Sequence, residues 1–174
     1  MAILNIEFKA RVMDITSYEN KLLSYKPLFI GEDLQTDTYF NVEKGRLKLR
    51  EGNIENSLIY YERNNEAGIK KSDVLLYTHQ HDPSLKEILI RLHGIKVTVT
   101  KKRRIYFIDN VKFHFDILEE LGNFIEVEAI DSTGKIGFAQ LNKQCEKYKS
   151  LFNVVQGDFI DKSYSDLLLE KLNK

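Results

Sequence analysis

The chain has a single cysteine, Cys145, among 174 residues, so no internal disulfide can form, which fits a reducing compartment. It has no excess of charge: 26 Lys and Arg balance 26 Asp and Glu, for a formal net charge of zero. A protein held on nucleic acid by bulk phosphate attraction needs a basic surplus, so that partner class is not expected. No apolar run approaches the ~20 residues of a membrane span. The first strand opens at once, leaving no room for a signal peptide, and a cytoplasmic protein without a membrane partner is expected. No repeat, linker or low-complexity tract divides the chain, and one domain over residues 1–174 is expected, long enough for a real core. Cys145 lies in a helical pattern near Leu141, Tyr148 and Phe152, where a buried thiol is expected rather than a nucleophile.

What the chain does have is strands. Alternation and turn residues predict strands over 2–11, 33–42, 46–51, 58–63, 70–79, 95–108, 111–117 and 123–131. Hairpin turns are marked by Glu43-Lys44-Gly45 and Asp109-Asn110, and longer turns by Gly52 to Asn56 and Asn64 to Gly68. Asp14 caps a first helix and Asp82-Pro83 opens a second that Gly94 closes. Two more helices are expected over 135–152 and 158–172. Eight strands, mostly hairpin-linked, with helices at the connections and the C-terminus, predict an α+β fold built on an antiparallel barrel.

Several of these strands carry one charged face and one apolar face. In Phe124-Ile125-Glu126-Val127-Glu128 the period of two puts both glutamates on one side and Ile125 and Val127 on the other. Carboxylates at i and i+2 repel each other, so they form a solvated face or share a cation. Asn5, Glu7 and Lys9 share a face on the first strand. Arg46, Lys48 and Arg50 share another, and Lys101 and Arg103 a third. A charged strand face meets water in an ordinary sheet. Basic faces on some strands matched by acidic faces on others suggest a closed barrel with a charged interior, as a binder of small anions needs.

In this order the motifs resemble the CYTH superfamily of triphosphate tunnel metalloenzymes, and within it the class IV adenylate cyclase branch. The family's Glu-x-Glu-x-Lys signature reads here as Asn5-x-Glu7-x-Lys9. Leu47-Lys48-Leu49-Arg50 is similar to its Leu-Arg-Ile-Arg strand, and Val99-x-Lys101-x-Arg103-x-x-Tyr106 to its basic strand. Phe115-Asp116, Leu121-Gly122-x-Phe124 and Glu126-x-Glu128 follow, and Ser163-Tyr164-Ser165-Asp166-Leu167-Leu168 resembles the branch's C-terminal helix. The resemblance covers nearly the whole chain. It departs at Asn5, where an amide offers an oxygen without a charge, implying a weaker metal site or the loss of one of two metals.

The resemblance implies an eight-stranded tunnel that binds ATP or another triphosphate. Lys9, Lys48, Arg50, Arg63, Lys101 and Arg103 would be its phosphate-binding cations, though at Arg63 the inward parity could belong to Glu62 instead. Glu7, Glu126 and Glu128 would hold Mg2+ or Mn2+, with Glu7, Lys9 and Tyr106 at catalytic positions. Asp37 and Asp116 could each orient an interior cation or be surface acids. His79, His81, His93 and His114 form no ligand set by sequence. The leading expectation is a class IV adenylate cyclase-like enzyme making cyclic AMP and pyrophosphate. The alternatives are an inorganic or thiamine triphosphatase, or a binding protein without turnover. A homodimer is compatible with each.

Overall fold

The computed structural model describes residues 3–62 and 68–173. Strands β1 (Ile3–Val12), β2 (Leu28–Phe40), β3 (Arg46–Glu51), β4 (Ser57–Glu62), β5 (Lys70–Thr78), β6 (Ile95–Ile108), β7 (Val111–Leu118) and β8 (Gly122–Asp131) form a closed barrel in the order β1-β5-β4-β3-β2-β6-β7-β8. Every pairing is antiparallel. Hairpins alone cannot close the ring. Closure comes from β1 on β8, β1 on β5, and the long pairing of β2 with β6.

Helices α1 (Ile15–Leu23), α2 (Pro83–His93), α3 (Phe138–Phe152) and α4 (Tyr164–Leu172) occupy the connections and the C-terminal end. Asp14 accepts hydrogen bonds from the amides of Thr16 and Ser17, and Asp82 accepts one from Ser84 ahead of Pro83, both as their sequences predict. Two helices start later than expected. The Asp131 carboxylate collects the amides of Thr133, Gly134, Lys135, Ile136 and Gly137, which holds that segment as a loop until Phe138. Ser163 and Asp166 form a reciprocal capping box that sets the start of α4 at Tyr164. Strand β2 starts earlier than expected, at Leu28, because Leu28 and Phe29 pair with β6 before a bulge at Gly31.

The even-numbered residues of β1 (Ile6, Phe8, Ala10 and Val12) face outward into the main core, with Phe113 and Phe115 of β7 and Ile125 and Val127 of β8. Helix α3 covers this surface with Leu141, Cys145, Tyr148 and Phe152, spaced four, three and four apart on one side of the helix. Cys145 is the buried core thiol expected, its Sγ donating to the Ile6 carbonyl at 3.1 Å, and burial pushes the thiol up to about 12. Helix α2 covers a smaller cluster of Phe40, Leu49 and Leu89. With the apolar side chains committed to the outside of β1, β7 and β8, period two sends their charged partners inward. No described helix is long and apolar enough to cross a membrane.

Candidate functional site

A cavity of about 320 Å3 runs inside the barrel, within the range of small-molecule sites. Asn5, Glu7, Lys9, Lys48, Arg50, Lys101, Arg103, Glu126 and Glu128 all line it. Arg63 lies outside the described residues.

The basic half is built on β2, β3 and β6. Asp37 of β2 accepts Arg50 Nε at 2.9 Å and its second terminal nitrogen at 3.0 Å, Lys48 Nζ at 3.2 Å and Lys101 Nζ at 2.6 Å. Burial alone would raise the Asp37 carboxyl, but Arg50, Lys101 and Lys48 together hold it well below the usual range. Burial lowers Lys101 to about 7; Asp37 opposes that shift, and Arg50 and Arg103 add to it. Asp116 of β7 does for Arg103 what Asp37 does for Arg50, accepting Nε at 2.6 Å and a terminal nitrogen at 2.5 Å. Both aspartates are therefore interior positioning groups, one of the two readings the sequence left open. Each guanidinium is fixed in a two-point geometry suited to presenting its remaining N–H groups to an anion.

The acidic half is built on β1, β7 and β8. Register places Glu7 opposite Glu128 and Lys9 opposite Glu126. On the other side of β8, His114 faces Glu126 and Lys112 faces Glu128. His114 Nδ1 lies 3.2 Å from Glu126 and 3.5 Å from Glu128. Potential ligand atoms of His114, Glu126 and Glu128 fall within 4.8 Å of one another. Burial and the neighbouring Arg103 push His114 down to about 3, so at neutral pH its imidazole is neutral. Burial and the nearby carboxylates of Glu126 and Glu7 push Glu128 up to about 7. The buried Asn5 amide donates to Glu7 at 3.0 Å, while its Oδ1 has no hydrogen-bond partner among the described residues. Crowded carboxylates with an unsatisfied amide oxygen beside them are a hard oxygen donor set of the kind that fits a divalent cation.

The two halves are joined by Arg103, which also reaches Glu126 at 2.9 Å, and by Lys9, 3.2 Å from Glu126. The Tyr164 ring of α4 lies 3.9 Å from Lys9 Nζ, and its hydroxyl donates to Asp116 at 2.7 Å, so α4 stops one end of the cavity. At the other end, the loop between β3 and β4 brings in Glu55, which binds Arg50 at 3.0 Å, Gln35 at 3.0 Å, and Lys112. Asp33 anchors that loop by accepting the amides of Ile54 and Glu55 at 2.8 and 2.9 Å. It can do so because residue 52 is glycine: a Cβ there would come within 2.6 Å of the Asp33 carboxylate.

Tyr106 is not part of this site. It sits on the outer face of β6 under α1, and its hydroxyl donates to Glu19 at 2.5 Å. Period two explains this: Lys101 and Arg103 point inward, and three residues beyond Arg103 is the opposite face. The residues that sequence reasoning missed are His114, Lys112, Glu55 and, as a side chain inside the tunnel, Tyr164. His114 and Lys112 share the inward parity of Asp116, which was a usable signal. Nothing local marks Glu55, which arrives from a loop.

With this geometry in view, comparison with known proteins places the chain. Residues 4–164 match the CYTH domain, and the chain belongs to the CYTH family. No functionally curated protein sequence matches it. Among solved structures it is similar to the PH1012 protein of Pyrococcus horikoshii OT3, at 25% identity and TM-score 0.79, covering 94% of this chain and 98% of that one. A candidate adenylate cyclase from Vibrio parahaemolyticus shares the fold at 18% identity and TM-score 0.76, over 95% and 98% of the two chains. So does a candidate adenylyl cyclase from Hippeastrum described as having a dominant triphosphatase activity, at 13% identity and TM-score 0.63, over 100% and 97%.

Proposed function

We propose that this chain, acting as one tunnel domain, is a divalent-metal-dependent enzyme of triphosphates. Its first reaction to test is the conversion of ATP to cyclic AMP and pyrophosphate, the reaction of the class IV adenylate cyclases that its motif order resembles. The observation that carries this reading is the juxtaposition of two opposite sites in one cavity. Four cations lie on β3 and β6, and a cluster of carboxylates lies across from them on β1 and β8.

Lys48, Arg50, Lys101 and Arg103 would take the phosphate oxygens. Arg50 uses three of a guanidinium's five N–H donors on Asp37 and Glu55, leaving the others for an anion. Because Asp37 and Asp116 already orient the two arginines, binding loses less side-chain freedom than it would with free ones. Glu7, Glu126 and Glu128, with the amide oxygen of Asn5, would hold Mg2+ or Mn2+. The chemistry such an ion supplies is neutralisation of charge on the phosphates during in-line displacement. Lys9, between Glu126 and Tyr164, would sit where the two halves meet the reacting phosphate.

A second reading rests on Asn5. With one acid of the family signature absent, the tunnel would bind triphosphate without turning it over. The deciding experiment gives purified protein ATP with Mg2+ or Mn2+ and resolves cyclic AMP from ADP and free phosphate. Metal-dependent cyclic AMP and pyrophosphate are expected. ADP with phosphate, or turnover only of inorganic or thiamine triphosphate, would make the protein a hydrolase. Tight binding without product would favour the second reading.

A further inference from the structure

The metal donors proposed above are all oxygens, but the strand beside the paired glutamates adds a nitrogen. His114 of β7 stands opposite Glu126 in register, and its Nδ1 lies 3.2 Å from a Glu126 oxygen and 3.5 Å from a Glu128 oxygen. One N–H serves only one of two carboxylates well. A shared cation serves both. Bonds of about 2.1–2.2 Å, at angles between octahedral and tetrahedral, put neighbouring ligand atoms about 3.0–3.6 Å apart. Both separations from Nδ1 fall in that range, and the three ligand atoms lie within 4.8 Å of one another.

A buried histidine kept only to hydrogen-bond a carboxylate has its other ring nitrogen satisfied as well. His114 is buried at 1% exposure, and its Nε2 has no partner among the described residues. No contact at Nε2 therefore fixes the tautomer, and the ring is free to carry its proton there and turn the Nδ1 lone pair toward the glutamates. A lone pair facing two carboxylates is repulsive until a cation lies between them. Glu128 has no other counterion at hand. Lys112 stands opposite it in register, but the Lys112 ammonium binds Glu55, and among the described residues His114 is the only basic side chain within ion-pair distance of Glu128. The Asn5 Oδ1, also buried and unpartnered, lies on the same face of β1 as Glu7, which is paired with Glu128.

We propose that His114 is a nitrogen ligand of the cation, together with Glu126 and Glu128, and that it makes the site selective for a first-row transition ion over Mg2+. Mg2+ takes oxygen donors and gives up its water reluctantly, whereas imidazole favours transition ions. This rests on the reading of the acidic half as a metal site. It adds a donor from β7 and a selectivity that the carboxylates do not supply alone.

The test uses metal-stripped full-length protein without nucleotide, with Mn2+ as the spectroscopic probe. Pulsed EPR of bound Mn2+ should show coupling to a histidine nitrogen, and the coupling should change on labelling histidine with 15N. In His114→Gln, which places an amide in its position, the coupling should disappear. Mn2+ affinity, read from the free-ion EPR signal, should fall about tenfold, while Mg2+ affinity, read by displacement of Mn2+, should stay within about threefold of wild type. Bound Mn2+ in the wild type without nitrogen coupling would overturn the inference while leaving the metal site standing, and that measurement needs no variant to fold. Coupling that persists in His114→Gln, or equal losses for both ions, would overturn it too. Failure of the wild type to bind either ion would remove the metal reading and this inference with it.

Discussion

Lys9 and Glu126 stand directly opposite each other across the seam where the first strand meets the last, their charged atoms 3.2 Å apart. More than a hundred residues separate them in the chain. The register that pairs them also pairs Glu7 with Glu128, so one strand contact assembles the acidic half of the cavity.

That half should govern metal, and the basic half should govern phosphate. Glu128→Gln is expected to lower metal-dependent turnover by about 10²-fold or more while leaving much of the tripolyphosphate affinity intact, because the cations remain. Metal titrations of activity together with metal-free binding calorimetry read the two effects separately. Equal losses in both would show that the halves do not divide the work.

The two arginines should differ in how they fail. Arg103→Ala leaves Asp116, fully buried, with Tyr164 as its hydrogen-bond partner, and breaking a buried pair of this kind costs about 3–5 kcal/mol of stability. Arg50→Ala leaves Asp37 still held by Lys101 and Lys48, so its main effect should be on phosphate affinity, by about 1.5–3 kcal/mol. Urea unfolding and tripolyphosphate binding on both variants test this. Comparable destabilisation of the two would contradict it.

Glu55 occupies the cations that a phosphate would use at the mouth, Arg50 and Lys112. Glu55→Gln should therefore strengthen tripolyphosphate binding by about tenfold, roughly 1.4 kcal/mol, as the competing charge is removed. Weaker binding in the variant would instead make Glu55 a group that positions those cations.

Lys101 sets a pH dependence whose sign can be worked out. Its folded value of about 7 lies well below that of an exposed lysine, ~10.4. Between these two values the unfolded chain binds more protons at this site, so its contribution to stability rises with pH across that window. Below pH 7 the buried ammonium carries its full cost. Lys101→Met should flatten that part of the stability profile. Tripolyphosphate binding at pH 8 should take up a proton in the wild type and not in the variant, which calorimetry in two buffers of different ionisation enthalpy would detect.

Asn5 tests the metal site from the other side. A carboxylate in its place would sit against Glu7, where the Asn5 amide now donates at 3.0 Å. Asn5→Glu should lower the melting temperature without metal, through carboxylate repulsion, and show a larger rise on adding Mn2+ than the wild type shows. It should also raise turnover at limiting metal. An identical metal response in the two proteins would mean that residue 5 does not stand at a ligand position.

Period two is a local property, and it was legible. Glu7 with Lys9, Lys48 with Arg50, Lys101 with Arg103 and Glu126 with Glu128 share faces because alternate side chains on any strand do. The caps at Asp14 and Asp82 were legible for the same reason, since they act on their own next few amides. The same rule, applied to Tyr106, would have placed it outside the barrel. Tertiary structure decided which charged faces meet. The pairing of β2 with β6 brings Asp37 to Lys101, and that of β7 with β8 turns His114 onto Glu126. Loop anchoring by Asp33 carries Glu55 into the cavity. These depend on which strands become neighbours, and that choice is settled by burying Ile6, Phe8, Phe113 and Val127 together under α3, which no single stretch of sequence encodes.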